Sequence, residues 1–186
     1  MACIPQDWCV YIGLPALLDC MTLLDANLVR ATCATLRDAV RHHAWCDTKT
    51  RVRAADRNAL HRWRAAFPQA RGVNISGNVA LCDDDFSECA GLEEVDMHGC
   101  AQVSDAAFVH VRGVRCLNMA GCIHVSDAAF VHLHCVEKLN ASWCKNVGDD
   151  ALAHIGHVRE LNIAACMRMT GTGFVYLRKV QRLCMS

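Results

Sequence analysis

The sequence lacks most of the features that mark specialised protein classes. It has no charge imbalance: lysine plus arginine number 19, and so do aspartate plus glutamate. A neutral balance gives no drive toward nucleic acid or an anionic membrane surface, so neither is expected as a partner. It has no long apolar run. The most hydrophobic stretch, residues 10–24, is broken by Pro15 and Asp19 and is too short to span a bilayer. The start, Met1 to Asp7, has no basic segment, so no secretory leader is expected. There is no Cys-x-x-Cys pair among 14 cysteines, which removes the usual spacing of a zinc site. There is no His-Glu-x-x-His, no Gly-rich phosphate loop and no nucleophile, base and orienter set. The expectation is a protein that is not an enzyme and needs no cofactor or metal. Without an export signal, and with 53% apolar residues, the chain does not need disulfide staples. The cysteines therefore read as reduced, small, buried hydrophobes in a cytoplasmic or nuclear setting.

What the chain has instead is a repeat. Cut in 22-residue blocks from Gly91, it reads GLEEVDMHGCAQVSDAAFVHVR, GVRCLNMAGCIHVSDAAFVHLH, CVEKLNASWCKNVGDDALAHIG and HVRELNIAACMRMTGTGFVYLR, then a partial KVQRLCMS. The frame extends back through Val73, Ile75, Leu81 and Phe86, so residues 69–90 form a degenerate first copy. One column is Val73, Val95, Leu117, Leu139, Leu161 and Leu183. Two residues on stand Ile75, Met97, Met119, Ala141, Ile163 and Met185. Such a pair, one residue apart, points inward from a short strand. Asn78, Cys100, Cys122, Cys144 and Cys166 follow where the chain turns, and a side chain there must serve loop backbone groups or pack tightly. Ser104-Asp105 and Ser126-Asp127 are helix-start signals. They precede a short helix or 3₁₀ turn that carries Phe86, Phe108, Phe130, Leu152 or Phe174 into the core. Stacked copies bury faces that no single copy could bury alone.

The pattern L-x-x-L-x-L-x-x-(N/C)-x-L resembles the leucine-rich-repeat family, in its cysteine-containing subclass, over residues 69–186. The resemblance implies an α/β solenoid with a short parallel sheet. The 22-residue period is shorter than that subclass usually has, so the convex side should be thin and its helices poorly developed. Ahead of the repeats, the order Leu14-Pro15, Leu17, Leu18, Leu24-Asp25, Leu28-Val29-Arg30, Cys33, Leu36-Arg37 and Trp45 resembles an F-box over about residues 11–50. Leu36 stands where that family usually has tryptophan. Residues 1–50 are thus expected to be an F-box-like segment of three short helices. Residues 51–68, with Ala54, Leu60, Trp63 and Phe67 at helical spacing, read as a bridging helix that caps the solenoid and stops at Pro68. At the other end Leu183 and Met185 are left near an open edge, a possible site of self-association.

The resemblance implies two functional readings. In the first the protein is the substrate-recognition subunit of a Skp–cullin–F-box ubiquitin ligase, with a Skp-type adaptor and a protein substrate as partners. The adaptor would dock on residues among Leu14, Pro15, Leu17, Leu18, Leu24, Leu28 and Val29. In the second it is a stand-alone repeat scaffold whose N-terminal helices serve only as a cap. The partner site is expected on the outward positions of the strands: Asp96, Asn118, Lys138, Asn140, Glu160 and Asn162, flanked by Glu94, His98, Cys116, Ala120, Ser142 and Ala164. The Asn column could also be an amide ladder bonding along itself. Trp143 replaces the small residues Gly99, Gly121 and Ala165 of other copies. An exposed aromatic there suits a binding anchor better than a turn. The Cys column cannot surround a metal, since four ligands in a row make no tetrahedron. The column His110, His132 and His154, with Tyr176 next, reads as solvated histidines. Arg51, Arg53, Arg57, Arg62 and Arg64 read as a solvated helix face rather than a nucleic-acid patch.

Overall fold

The computed structural model describes residues 22, 25–26, 28, 30–31, 34–52 and 58–185. Its elements are helices α1 (Ala34–His42) and α2 (Ala59–Ala66) and strands β1 (Cys46–Arg51), β2 (Gly72–Asn74), β3 (Glu94–Asp96), β4 (Cys116–Asn118), β5 (Lys138–Asn140), β6 (Glu160–Asn162) and β7 (Arg182–Cys184). All strands are parallel and lie in chain order in one sheet. From β2 onward the register is the repeat itself: Val95 pairs with Val73 on one side and Leu117 on the other. This is a leucine-rich-repeat solenoid.

The return side of each repeat is a 3₁₀ turn: Asp83–Cys89, Asp105–His110, Asp127–His132, Asp149–His154 and Thr172–Tyr176. Such short turns fit a 22-residue period, which leaves no chain for full α-helices. The inward residues stack into one core. Met97, Cys100, Val103, Phe108, Met119, Cys122, Val125 and Phe130 are all fully buried. Each large side chain buried this way contributes about 1.5–3 kcal/mol, and neighbouring copies share the benefit.

Three polar devices fix the stacking. The Cys column donates back across the core: Cys100 Sγ to the Ile75 carbonyl at 3.3 Å, Cys122 to Met97 at 3.4 Å, Cys144 to Met119 at 3.2 Å and Cys166 to Ala141 at 3.1 Å. Burial pushes the Cys122 and Cys144 thiols up to about 12 and Cys100 up to about 11, and raises Cys166 too. These thiols are packing and hydrogen-bonding groups with little thiolate character. The second device is an aspartate relay along the 3₁₀ turns. Asp83 accepts from Ser104 N and Oγ at 2.7 and 2.6 Å, and Asp105 accepts from Ser126 N and Oγ at the same distances. Asp127 accepts from Gly148 N at 2.6 Å. Asp149 takes the hydroxyl and amide of Thr170 and the amides of Gly171 and Gly173. Ser104 and Ser126 also cap their own turns, as their sequence position suggests. What the Ser-Asp pairs do not reveal by themselves is that each aspartate reaches forward to the next copy. The third device is the asparagine column, described below with the site.

The N-terminal portion departs from the expected helices in two places. Of the bridging helix expected over residues 51–68, Arg51 lies in a strand, residues 53–57 lie outside the described residues, and α2 spans only Ala59–Ala66. Residues 1–50 were expected to be helical, but Cys46–Arg51 form strand β1. Cys-Asp-Thr-Lys-Thr-Arg has no apolar alternation to announce a strand. Pairing with β2 creates it, with a register shift between Cys46 and Arg51. Trp45, just before it, is buried and donates Nε1–H to the Val40 carbonyl at 2.8 Å. Leu36, Val40 and Trp45 are buried with Leu60, Trp63 and Phe67 of the α2 region. Arg64 ties α2 to the repeats through the carbonyls of Ala70 and Ala90, at 3.1 and 2.9 Å. It is a structural hydrogen-bond donor, not part of a free basic patch. At the far end Leu183 and Met185 are 41% and 52% exposed, where their columns are otherwise buried.

Candidate functional site

The outward side chains of the strands line an open groove of about 490 Å³. Asp96, Asn118, Lys138, Asn140, Glu160 and Asn162 all face it. Glu94, Cys116, Arg182 and Thr48 join them. The sequence placed Ala120, Ser142 and Ala164 on this surface as well. They are only 7%, 8% and 9% exposed, because each lies past the strand end where the chain folds under itself.

The middle column is not an amide ladder. Each side-chain oxygen turns back on its own chain two residues later. Asn118 Oδ1 accepts from Ala120 N at 3.3 Å, Asn140 from Ser142 N at 3.1 Å and Asn162 from Ala164 N at 3.0 Å. Asp96 does the same for His98 N at 3.1 Å, and Asn74 for Ser76 N at 3.0 Å. These are Asx turns: they fix the strand ends and leave the Nδ2 groups of Asn118, Asn140 and Asn162 without a hydrogen-bond partner among the described residues.

Charges run in rows across the strands. Lys138 Nζ is 3.1 Å from Glu160 Oε1, and Arg182 Nη1 is 3.9 Å from the same oxygen. Just ahead of the strands, Arg71 meets Glu93 at 3.6 Å, and Glu137 lies 3.8 Å from both Arg115 and Arg159. This alternating Arg/Glu column was missed in the sequence reading, although its 22-residue spacing is visible there. Exposed pairs of this kind contribute about 0–1 kcal/mol each, so their importance is the pattern they present.

Trp143 stands elsewhere. It lies beyond the C-terminal end of β5, on the rim of the sheet, whereas Lys138 and Glu160 open their strands. It is 60% exposed and holds φ at 62°. The equivalent Gly77, Gly99 and Gly121 also have positive φ, as does Ala165. The turn requires this region, since the same N–H must still reach the next copy: Gly121 N donates to Ser142 O at 2.8 Å and Trp143 N to Ala164 O at 2.9 Å. Ile123 and Met167, on the matching loops of the adjacent copies, are 40% and 75% exposed. In the column of Ile123 and Met167 the Trp143 copy carries Lys145, which is also exposed.

Of the adaptor residues expected from the sequence, only Leu28 falls within the described residues. It is helical and 68% exposed. Leu14, Pro15, Leu17, Leu18, Leu24 and Val29 lie outside them. Among the described residues, no group of three or more His, Cys, Asp or Glu side chains is placed to hold a metal ion. No helix among them is long and apolar enough to cross a membrane.

No protein-family model matches the chain, and no curated protein matches it. Among solved structures, the crystal structure of the Rad7 and Elc1 complex in yeast contains a similar chain. The TM-score is 0.53 at 12% identity, covering 70% of this chain and 46% of that one. This protein therefore matches less than half of its neighbour's length, and at this identity the likeness concerns the fold.

Proposed function

We propose that the protein is a protein–protein interaction module, acting as the substrate-recognition subunit of a Skp–cullin–F-box ubiquitin ligase in the cytoplasm or nucleus. One observation carries the interaction reading. The inward columns repeat with the same chemistry in every copy, while the outward column that opens the strands differs: Glu94, Cys116, Lys138, Glu160, Arg182. A stack needs uniformity inside, but recognition of a partner needs differences outside. Exposed Trp143 supplies an anchor beside this surface. For the adaptor, exposed Leu28 belongs to a segment whose sequence resembles an F-box. It keeps an apolar side chain turned away from the core while Ala26, two residues before, is buried.

A second reading rests on a different observation. Leu36, Val40 and Trp45 are buried and β1 extends the sheet, so the segment from Ala34 onward caps the solenoid whatever else it does. A stand-alone repeat scaffold would need nothing more. Capture by a Skp-type adaptor separates the two. Deleting residues 1–50 would be a poor test, since it removes most of β1 and uncovers Trp63 and Phe67. Leu28→Asp alters only an exposed side chain. The full chain should bind the adaptor at micromolar concentration, and Leu28→Asp should abolish binding with an unchanged thermal midpoint. If the full chain does not bind, the ligase reading fails and the scaffold reading stands.

A further inference from the structure

The groove is chemically one-sided. Asn118, Asn140 and Asn162 each use Oδ1 on their own backbone. Their Nδ2 groups stay available as donors. Three of them at strand spacing cover about 10 Å, and an extended chain turns carbonyls to one side every second residue, about 7 Å apart, so not every amide meets one. They call for a ligand with a row of acceptors, such as main-chain carbonyls.

The charges are unequal too. The cations at the β5–β7 end are engaged, as both Lys138 and Arg182 lie on Glu160. At the other end Glu94 and Asp96 sit two residues apart on β3, facing the groove. Among the described residues neither has a cation within ion-pair distance. The neighbouring Arg51 guanidinium lies against Gly77 instead. Asp96 Oδ1 receives the His98 amide, and Glu94 receives the Cys46 thiol, but both carboxylates keep acceptor capacity. On a strand, side chains two apart share a face at about 7 Å. A guanidinium has donors on several edges and can serve two carboxylates so placed, which an ammonium does less well.

We propose that the groove takes an extended peptide segment carrying an arginine, with the guanidinium seated between Glu94 and Asp96 and main-chain carbonyls on amides of the Asn118, Asn140 and Asn162 row. This deepens, and rests on, the reading of the concave face as a protein-binding surface. It disfavours an acidic ligand, whose charge would meet two carboxylates with no cation partner among the described residues and two occupied cations.

The test uses the full chain and fluorescence anisotropy. The probe is a short fluorescein-labelled peptide of alternating arginine and serine, compared with versions carrying glutamine or glutamate for arginine. The arginine peptide should bind saturably, the glutamine peptide about tenfold more weakly, and the glutamate peptide not at all. Glu94→Gln with Asp96→Asn should remove the arginine preference. Asparagine already occupies the Asp96 position in four other copies, so the fold should be kept. Asp150→Asn, at an exposed residue of a 3₁₀ turn, should change nothing. Equal binding of the arginine peptide to the double variant overturns the seat. If the glutamine or glutamate peptide binds as well as the arginine one, and Asn140→Arg blocks it, the groove is a peptide site but the charge assignment is wrong. If none of the peptides binds, the peptide seat is overturned, while the concave-face reading falls only if Asn140→Arg also leaves partner capture by the full chain unchanged.

Discussion

Trp143 holds a backbone conformation suited to glycine and gains little burial in return. A non-glycine residue in the left-handed region costs about 1–2 kcal/mol. Glycine would relieve that strain but lose about 0.5–1 kcal/mol to chain entropy. Trp143→Gly should therefore leave stability unchanged or raise it by up to about 1 kcal/mol, read as the urea midpoint. The same change should weaken partner capture about tenfold or more if Trp143 is an anchor. A large loss of stability would mean that the indole packs in a way its exposure does not suggest, and would remove it from the binding surface.

At the level of the element, the 3₁₀ turns hold their neighbours through aspartates rather than through helix packing. Asp149 is the most heavily bonded. The Thr170 hydroxyl, then the amides of Thr170, Gly173 and Gly171, hold its carboxyl well below the usual carboxylate range. A depressed folded-state pKa stabilises the native form at pH values above the unfolded pKa, near 3.8. That contribution is lost as the pH falls through the folded value. Thermal midpoints should thus fall steeply below about pH 4. Asp149→Asn should be less stable at neutral pH and show a shallower acid dependence, checked by calorimetry across the acid range. Parallel acid profiles for the two proteins would show that this carboxylate is not differentially stabilised in the fold.

Across the whole molecule each copy touches only its neighbours, so stability should vary along the stack. The ends differ. At the N-terminal side β1, α2 and Trp45 cover the first copy. At the other side β7 has a strand on one side only, and Leu183 and Met185 are partly exposed. Native-state hydrogen exchange should show the strongest protection at β4 and β5, and the fastest exchange from the Thr172–Tyr176 turn through β7. Uniform protection from β2 to β7 would mean that the stack opens only as one unit.

The solenoid was legible because its cause is periodic. One 22-residue phase sets the inward pairs Val95/Met97 and Leu117/Met119, the turn cysteines and the buried phenylalanines, and that suffices for a stack of parallel strands with thin returns. The outward columns follow from the same phase, so Asp96, Asn118, Lys138, Asn140, Glu160 and Asn162 could be placed on one surface in advance. Contacts between copies could not. Strand β1 has no hydrophobic pattern and exists through its partner's backbone. The asparagines bond locally, each Oδ1 taking the amide of its own turn. The Ser-Asp pairs look like caps in sequence, and only stacking brings Asp105 to Ser126. Which charges in the groove are neutralised depended on which side chains the 22-residue register sets side by side. Periodicity determined the layers, and three-dimensional juxtaposition decided the chemistry of the surface.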